Sequence, residues 1–274
     1  MKYKVEKDII IYSLDDFNPE HILECGQVFS YEKIDDNYVV YSQDKKAVIK
    51  KEDNAYRIET KDIEYFINYF DLNTDYSKVK NNLQTNHFFM EKVINFGRGI
   101  RILKQDHFET IISFIVSANN NIKRIKKILF AIREKFGTKK EDYYAFPTLS
   151  QLKTATVEDF KNLGAGYRAK YLYEVCRQLE NENLNEWAKL STEELNKKLL
   201  SLMGVGQKVA DCIMLFGFSK QDVFPVDTWI EKVYCTYFNE EHDRKKIRQN
   251  LLATFKENSG YAQQYLFYSQ RSDS

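Results

Sequence analysis

The fold is decided by one stretch, Leu202-Met203-Gly204-Val205-Gly206-Gln207-Lys208-Val209-Ala210-Asp211-Cys212, which joins two helical patterns. Residues Thr192 to Leu202 predict the first helix, and residues Gln207 to Phe218 predict the second. The joint is Gly-Val-Gly, where two glycines allow a tight bend. Backbone N–H groups that stay unpaired at the start of the second helix favour an anion such as a phosphate.

A lysine and an aspartate follow this joint in positions that suggest chemistry. Lys208 lies in the first turn of the second predicted helix, where the helix dipole disfavours a cation, and such a local conflict often has a functional reason. It shares one helix face with Cys212 and Phe216. Asp227 is expected to cap the next helix, Thr228 to Phe238. The plainer interpretation is a surface lysine and an aspartate that only caps.

The composition is that of a globular chain. Of 274 residues, 43% are hydrophobic and 30% charged, which is enough for one or two domains with buried cores. No apolar run is long enough to span a membrane, and no signal peptide is seen. We therefore expect a cytoplasmic protein, associated with the nucleoid if prokaryotic, with no membrane partner. The net charge of +1 does not indicate a nucleic-acid-binding protein, so a DNA-binding surface would have to come from local clusters of basic residues. Two such clusters lie at 123–127 and 244–248, although clusters of this kind are more often solvated helix faces.

The four cysteines do not indicate a metal centre. Cys25, Cys176, Cys212 and Cys235 are scattered and include no Cys-x-x-Cys pair. Zinc is therefore not expected, and neither is a four-cysteine iron–sulfur cluster near the end of the chain. We predict no metal and no other cofactor.

The chain divides into a sheet part and a helical part. Short runs of β-branched and aromatic residues predict strands at 9–12, 38–41 and 47–49. Asn18 to Glu24 predicts a short helix with Asn18 as its N-cap. From about residue 61 the spacing of apolar residues is helical. The predicted fold class is α+β. The expected domains are an N-terminal antiparallel sheet domain (1–80) and a larger all-α domain (81–274) with its hairpin at about 193–218.

The hairpin resembles that of the helix-hairpin-helix DNA glycosylases, which carry a Gly/Pro-rich loop followed by an aspartate. Lys208 falls where the bifunctional members have a nucleophilic lysine, and Asp227 falls where the superfamily has its aspartate. The resemblance implies that the hairpin binds a DNA phosphate. The residues expected at that contact are Gly204, Val205, Gly206 and Val209.

Two motifs at opposite ends of the chain resemble the 8-oxoguanine DNA glycosylases. Cys25-Gly26-Gln27-Val28-Phe29 matches a motif in which the glycine carbonyl accepts the N7–H that only oxidised guanine has. Normal guanine would leave that carbonyl unpaired, at a cost of about 1–3 kcal/mol. Gln263 and Phe267 match a C-terminal pair that binds the Watson–Crick edge and stacks on the base, with Cys212 on its other face. The plainer interpretations are a helix end at Gly26 and a core phenylalanine at Phe267.

Two further motifs match residues that bind the opposite strand in the same family. Asn119, the first of three asparagines, matches a residue that fills the space left by the flipped base. Arg124 matches an arginine that reads the orphaned cytosine, and Tyr167 and Arg168 match a wedge beside that base and its hydrogen-bond donor. The plainer interpretations are that Asn119 belongs to a polar turn, that Arg124 is a surface cation, and that Tyr167 and Arg168 lie at an exposed rim.

Two residues depart from the family pattern. Trp229 stands where many relatives have a histidine that contacts a phosphate, and the indole N–H is a candidate to replace that contact. Phe216 stands where relatives often have a methionine on the wall of the base pocket.

The resemblance implies a bifunctional DNA glycosylase/AP lyase that removes 8-oxoguanine from double-stranded DNA, with a preference for cytosine opposite the lesion, and acts as a monomer. Lys208 would attack C1′ to form a Schiff base, and β-elimination would nick the strand. Burial and the first-turn position are expected to lower the pKa of Lys208. Three alternatives remain: a monofunctional alkylation-repair glycosylase, a mismatch adenine or thymine-glycol glycosylase, and a DNA-binding module without catalysis.

Overall fold

A six-stranded antiparallel sheet forms the N-terminal part of the computed structural model, which describes residues 3–13 and 16–271. Its strands are β1 (Tyr3–Glu6), β2 (Ile9–Ser13), β3 (Tyr31–Ile34), β4 (Asn37–Ser42), β5 (Lys45–Lys51) and β6 (Ala55–Glu59). They lie in the order β1-β2-β6-β5-β4-β3. Ile10 pairs with Ile58, which pairs with Ile49. All three side chains are buried on one face because alternate residues of a strand point the same way.

The three predicted strands are present as β2, β4 and β5, whereas β1, β3 and β6 were missed. Two of the missed strands, β1 and β3, are the edges of the sheet. Most of their residues are exposed, so their sequences hold few apolar residues and lack a strong strand pattern.

Fifteen α-helices account for most of the remaining described residues. The first eight are α1 (Pro19–Leu23), α2 (Ile63–Tyr69), α3 (Tyr76–Asn86), α4 (Met90–Phe96), α5 (His107–Ser117), α6 (Ile122–Phe136), α7 (Leu149–Leu152) and α8 (Val157–Asn162). The others are α9 (Arg168–Gln178), α10 (Leu184–Trp187), α11 (Thr192–Leu200), α12 (Gln207–Phe218), α13 (Thr228–Tyr237), α14 (Arg244–Phe255) and α15 (Ser259–Arg271). Within the described ranges, no helix is both long and apolar enough to cross a membrane.

The predicted α+β class is confirmed, and several helix boundaries agree with the sequence pattern. The helix α12 begins and ends where the pattern predicts, and the Asn18 side chain caps α1 by accepting a hydrogen bond from the Glu20 amide. The domain boundary expected after residue 80 lies inside α3.

Three hydrophobic clusters hold these elements together. One lies between the sheet and α2, and the largest surrounds α5 and α12. The third joins α4, α13, α14 and α15, and it also contains Cys25 from the N-terminal part. The turn after α1 is therefore packed against the last helix of the chain.

A buried ion pair ties the sheet to the helical part. Glu109 on α5 pairs with Arg133 on α6, and both side chains are almost fully buried. The same carboxylate accepts hydrogen bonds from Ser30 Oγ and from the backbone N–H of Gln43, each at 2.8 Å. One carboxylate thus connects two segments of the sheet domain to two helices.

Candidate active site

The helical hairpin presents unpaired backbone amides at the start of α12. Gly204 has a φ of +84°, and a Cβ there would lie 2.4 Å from the Tyr171 ring, so this bend requires glycine. Gly206 is the N-cap of α12 and has no side chain to satisfy the first amides. Within the described part of the chain, the N–H groups of Gln207, Lys208 and Val209 have no backbone partner. They form the helix start at which an anion binds favourably.

Val205 does not fit the phosphate contact expected from the sequence. Its N–H donates to the carbonyl of Leu202 at 3.2 Å, and its side chain is buried in the largest hydrophobic cluster. The residue anchors the turn from inside, while Gly204 and Gly206 lie on the more open side. The phosphate contacts assigned to Gly204, Gly206 and Val209 remain predictions.

Lys208 lies beside Cys212 and is electrostatically coupled to Asp227. Cys212 lies one helical turn further along α12 and also interacts with Lys208 electrostatically, and the Nζ of Lys208 is 6.0 Å from the centroid of the Phe114 ring. Lys208 at the start of α12 and Asp227 at the N-cap of α13 therefore lie within electrostatic range of each other.

The predicted lowering of the Lys208 pKa is wrong in direction. Attraction to the Cys212 sulfur, followed by attraction to the Asp227 carboxylate, raises the pKa of Lys208, although burial acts to lower it. Burial also raises the pKa of the Cys212 thiol to about 11, so at neutral pH the thiol keeps its proton. Because that thiol is uncharged at neutral pH, the Asp227 carboxylate is the neighbouring charge that favours the ammonium form of Lys208 there. Lys208 must lose a proton before it can attack.

Asp227 caps α13 with only one of its two carboxylate oxygens. Oδ1 accepts hydrogen bonds from the amides of Trp229 and Ile230, both at 3.0 Å. Oδ2 accepts no hydrogen bond from the described residues. The cap thus fixes the carboxylate and leaves the second oxygen for a substrate, which makes the two predicted roles of Asp227 compatible.

Gly26 and Gln263, two residues predicted to bind the base, lie at opposite ends of the sequence, but their chain neighbours Cys25 and Gln264 are hydrogen-bonded to each other. Gly26 has a φ of +81°, a conformation that favours glycine. Gln264, next to Gln263 on α15, donates from Nε2 to the carbonyl of Cys25 at 3.2 Å. Gln263 is 5% exposed, and its Oε1 has no hydrogen-bond partner in the described structure. A buried acceptor without a partner is rare, and this oxygen is therefore suited to accept a hydrogen bond from a ligand.

A second glutamine, Gln27, fixes the other side of the Gly26 turn. Its fully buried side chain donates to the carbonyls of Ile22 and Arg101 and accepts from the amide of Leu103, all at 2.8 Å. The Gly26 carbonyl is therefore presented by a rigid turn. The sequence analysis gives neither Gln27 nor Gln264 a role; the position of Gln27 inside the motif Cys25-Gly26-Gln27-Val28-Phe29 is the signal that could have identified it.

Two predicted pocket residues occupy different surroundings. Phe267 is half-buried at the edge of the third hydrophobic cluster. Phe216 is 3% exposed and stacks on Phe114, with ring centroids 5.5 Å apart. Phe216 therefore packs against Phe114, whose ring centroid lies 6.0 Å from Lys208 Nζ. Direct contact of Phe216 with a base remains a prediction.

The four residues expected at the opposite strand also form one group. Asn119 is exposed and has a φ of +50°, which asparagine tolerates better than most residues. Arg168 donates to the carbonyls of Ala118 and Asn119, and the Tyr167 hydroxyl also donates to Ala118. Arg124 donates to the carbonyl of Gly164 at 3.0 Å. The guanidinium of Arg168 thus holds the asparagine loop in place.

One nitrogen of Arg168 is left without a hydrogen bond while the others hold this loop. Its Nε and Nη2 donate to the loop carbonyls, whereas Nη1 makes no hydrogen bond among the described residues. Arg168 is only 2% exposed, whereas the neighbouring Tyr167 is 55% exposed, as a wedge residue requires. A contact of Nη1 with an orphaned cytosine would therefore require this nitrogen to become accessible, and the contacts of both residues with that base remain predictions.

Trp229 lies in the first turn of α13 and is partly exposed. The ammonium of Lys232 lies 4.7 Å from its ring centroid, so this corner of the site already carries a cation. Its predicted phosphate contact remains a prediction.

An ion pair that the sequence did not predict supports α12, the helix that carries Lys208. Asp211 is fully buried on α12, and Arg248 on α14 binds its carboxylate through two nitrogens, at 2.6 and 2.8 Å. Burial raises the pKa of Asp211, and the guanidinium opposes that rise. The pair fixes α14 against the helix that carries Lys208.

Known proteins share both halves of this architecture. Residues 9–111 match the family described as 8-oxoguanine DNA glycosylase, N-terminal domain, and residues 112–257 match the HhH-GPD superfamily of base excision DNA repair proteins. The crystal structure of an 8-oxoguanine glycosylase/lyase from Clostridium acetobutylicum, with DNA containing cytosine opposite 8-oxoguanine, is 38% identical. It covers 100% of this chain and 99% of the other, with a TM-score of 0.94.

Curated relatives agree with this match over a shorter span. The N-glycosylase/DNA lyase of Saccharomyces cerevisiae is 34% identical over 60% of this chain and 54% of its own length. A probable N-glycosylase/DNA lyase of Methanothermobacter thermautotrophicus is 32% identical over 65% of both chains. The chain therefore spans between about half and two thirds of the length of these relatives.

The fold and the hairpin site define a helix-hairpin-helix protein of DNA base excision, and the chain belongs to the HhH-GPD superfamily. Within that superfamily, its N-terminal domain and its match along the whole chain place it in the 8-oxoguanine glycosylase/lyase family.

Proposed function

We propose that this chain removes 8-oxoguanine from double-stranded DNA and then nicks the strand by β-elimination. The observation that carries the proposal is the coupling of Lys208 to Asp227 at a helix start whose amides are unpaired. A DNA-binding module would need the amides alone, and a hydrolytic glycosylase would need no lysine beside the aspartate. Hence the covalent mechanism is favoured over the DNA-binding module and over the hydrolytic glycosylase.

Damaged guanine would be recognised by two hydrogen-bond acceptors of the protein. The Gly26 carbonyl, in its rigid turn, suits the N7–H donor of 8-oxoguanine, and the unpartnered Oε1 of Gln263 suits N–H groups on the Watson–Crick edge. Normal guanine would set its N7 lone pair against the glycine carbonyl, and this repulsion would reject it. Cys212 and Phe267 would enclose the flipped base.

Catalysis begins with loss of a proton from Lys208, for which the coupled carboxylate of Asp227 is the acceptor. The neutral Nζ then attacks C1′, and the bond from C1′ to the base nitrogen breaks with its electron pair leaving on the base, which takes up the proton that Asp227 received from Lys208. Asp227, ionised again, stabilises positive charge on the sugar. Ring opening gives the Schiff base. Loss of a C2′ proton then breaks the C3′–O bond, and the 3′ phosphate departs with the bonding electrons.

On the opposite strand, Asn119 and Tyr167 would fill the gap in the duplex, while Arg124 and Arg168 would donate to the orphaned base. Cytosine presents acceptors at O2 and N3, so guanidinium donors favour it. We also propose that the protein acts as a monomer in the cytoplasm.

The function is tested with duplexes that carry one 8-oxoguanine opposite each of the four bases. We expect base release and strand nicking, fastest opposite cytosine, and a covalent complex after borohydride reduction. Base release without a trapped complex would favour the hydrolytic alternative. Binding without any base release would favour the DNA-binding module.

Asp227→Asn is expected to separate the capping role from the catalytic role. Asparagine caps helices about as well as aspartate, so the free energy of unfolding should change by less than about 1 kcal/mol. Loss of the charge should slow single-turnover base release by about 100-fold or more. Asp243→Asn, at the N-cap of α14, is the matched control and should leave the rate at saturating protein unchanged. A normal rate for Asp227→Asn would remove the carboxylate from the mechanism.

A further inference from the structure

The three consecutive carbonyls of Cys25, Gly26 and Gln27 differ in their hydrogen bonds. The Cys25 carbonyl accepts a hydrogen bond from Gln264 Nε2 at 3.2 Å, and the Gln27 carbonyl accepts one from Gln105 Nε2 at 2.8 Å. The Gly26 carbonyl between them accepts no hydrogen bond from the part of the chain that the structure describes. The acceptor expected to read the damaged base is therefore open to a ligand, while both neighbouring carbonyls are held by glutamine amides.

The two glutamines that hold this turn come from different parts of the fold. Gln105 precedes α5 and is half-buried, and its backbone N–H donates to the Phe216 carbonyl of α12 at 3.0 Å. Gln264 lies on α15 and is 1% exposed, as is Cys25. Loss of the Gln264 amide would therefore remove a donor from a buried carbonyl, where hydrogen bonds matter most.

The hydrogen bond from Gln264 fixes the two base-reading acceptors relative to each other. The peptide group that contains the Cys25 carbonyl is planar, so a donor that holds this oxygen also orients the Gly26 nitrogen. Only φ and ψ of Gly26, with φ at +81°, then separate this peptide group from the Gly26 carbonyl. Gln263, whose Oε1 is the other acceptor, is the preceding residue on the same helix as Gln264. The bond thus joins the segment that carries one acceptor to the helix that carries the other.

We propose that Gln264 is a positioning residue for base selection, which orients the Gly26 carbonyl toward N7 of the flipped base by holding the Cys25–Gly26 peptide group. The inference rests on the proposed function, since it takes 8-oxoguanine as the substrate. Gln264 acts through Gly26 and not by contact with the base, because its own Nε2 is bonded to the turn. A carbonyl displaced by about 1 Å would lose the N7–H hydrogen bond and, with it, the rejection of guanine.

The test uses two bases that differ at N7. 8-Oxoguanine carries a hydrogen on N7, whereas 8-methoxyguanine also has an oxygen at C8 but keeps the N7 lone pair. Each is placed opposite cytosine in a duplex, and affinity is measured in a Lys208→Gln background, which is expected to bind the duplex without cutting it. Gln264→Met keeps the length of the side chain and removes the donor. We expect it to reduce the preference for 8-oxoguanine over 8-methoxyguanine by about tenfold.

Two further variants separate positioning from packing. Gln264→Ala leaves a cavity that Gln264→Met does not, yet it should reduce the preference to the same extent, since both lack the donor. Gln151→Met is the matched control on α7, where it removes an amide that donates to Thr138 Oγ1 at 3.0 Å. It should keep the preference of the Lys208→Gln parent.

An unchanged preference in Gln264→Met would overturn the inference even if both affinities fell, because a role of Gln264 in the packing of α15 alone would weaken the two complexes equally. A loss of preference in Gln264→Ala but not in Gln264→Met would also overturn it.

The same substitution is then made with Lys208 present, and nicking of a preformed abasic site is measured. This reaction needs no base, so Gln264→Met should nick within about twofold of the wild-type rate. Failure of wild type to release 8-oxoguanine would refute the proposed function, whereas release by wild type together with an unchanged preference in Gln264→Met would refute only the role of Gln264.

Discussion

Replacing Lys208 by glutamine is expected to abolish the covalent complex with DNA and to slow single-turnover nicking by at least about 1,000-fold. Glutamine has nearly the same length but no nucleophilic amine, so no Schiff base can form. The hairpin amides belong to the backbone and remain available, so binding to a duplex that carries a tetrahydrofuran abasic-site analogue should persist. The measurement is borohydride trapping with a duplex that carries 8-oxoguanine opposite cytosine.

An exposed lysine on another helix provides the matched control for this variant. Lys92 is exposed on α4, and Lys92→Gln removes the same charge outside the described site. Its trapping yield should equal that of wild type. If Lys208→Gln were trapped as efficiently as wild type, another amine would be the nucleophile, and the assignment of Lys208 would fall.

Replacing Glu109 by alanine is expected to destabilise the fold by about 3–5 kcal/mol. The change leaves Arg133, which is 2% exposed, without its counter-ion. It also removes the acceptor for Ser30 Oγ and for the Gln43 amide. A buried charge and a buried N–H that lose their partners are both costly. The measurement is urea unfolding, in which the midpoint should fall while the slope stays constant.

The same change at an exposed ion pair shows how much of that effect comes from burial. Glu193 pairs with Lys197 one turn along α11 at 2.7 Å, and both side chains are mostly exposed. Glu193→Ala should cost less than about 1 kcal/mol, since solvent screens such pairs. Similar losses in both variants would mean that the Glu109 junction contributes no more than a surface contact.

Local sequence signals were enough to predict the helical hairpin and the N-cap of the helix that follows it. Glycine spacing, helical periodicity and N-cap preferences all act within a few residues, so the limits of α12 and the cap at Asp227 could be derived without tertiary information. The edge strands β1 and β3 could not, because an exposed strand has few apolar residues to reveal it.

Properties that depend on partners distant in the sequence could not be predicted. The pKa of Lys208 is decided by a balance between burial and two neighbours, of which Asp227 lies on another helix. In the same way, the cation that neutralises Asp211 comes from α14. Residue types gave the candidates in each case, but only the packing of the helices determined the sign of the effect.

The hydrogen bond from Gln264 to the carbonyl of Cys25 joins residues that lie 239 positions apart. During synthesis, the sheet and the hairpin therefore emerge from the ribosome well before α15 can complete the Gly26 turn. A nascent chain that lacks α15 would already contain the unpaired amides of the hairpin and Lys208, but not the packed surfaces that are proposed to distinguish one base from another. The groups proposed to hold DNA are thus complete earlier in synthesis than those proposed to select a base.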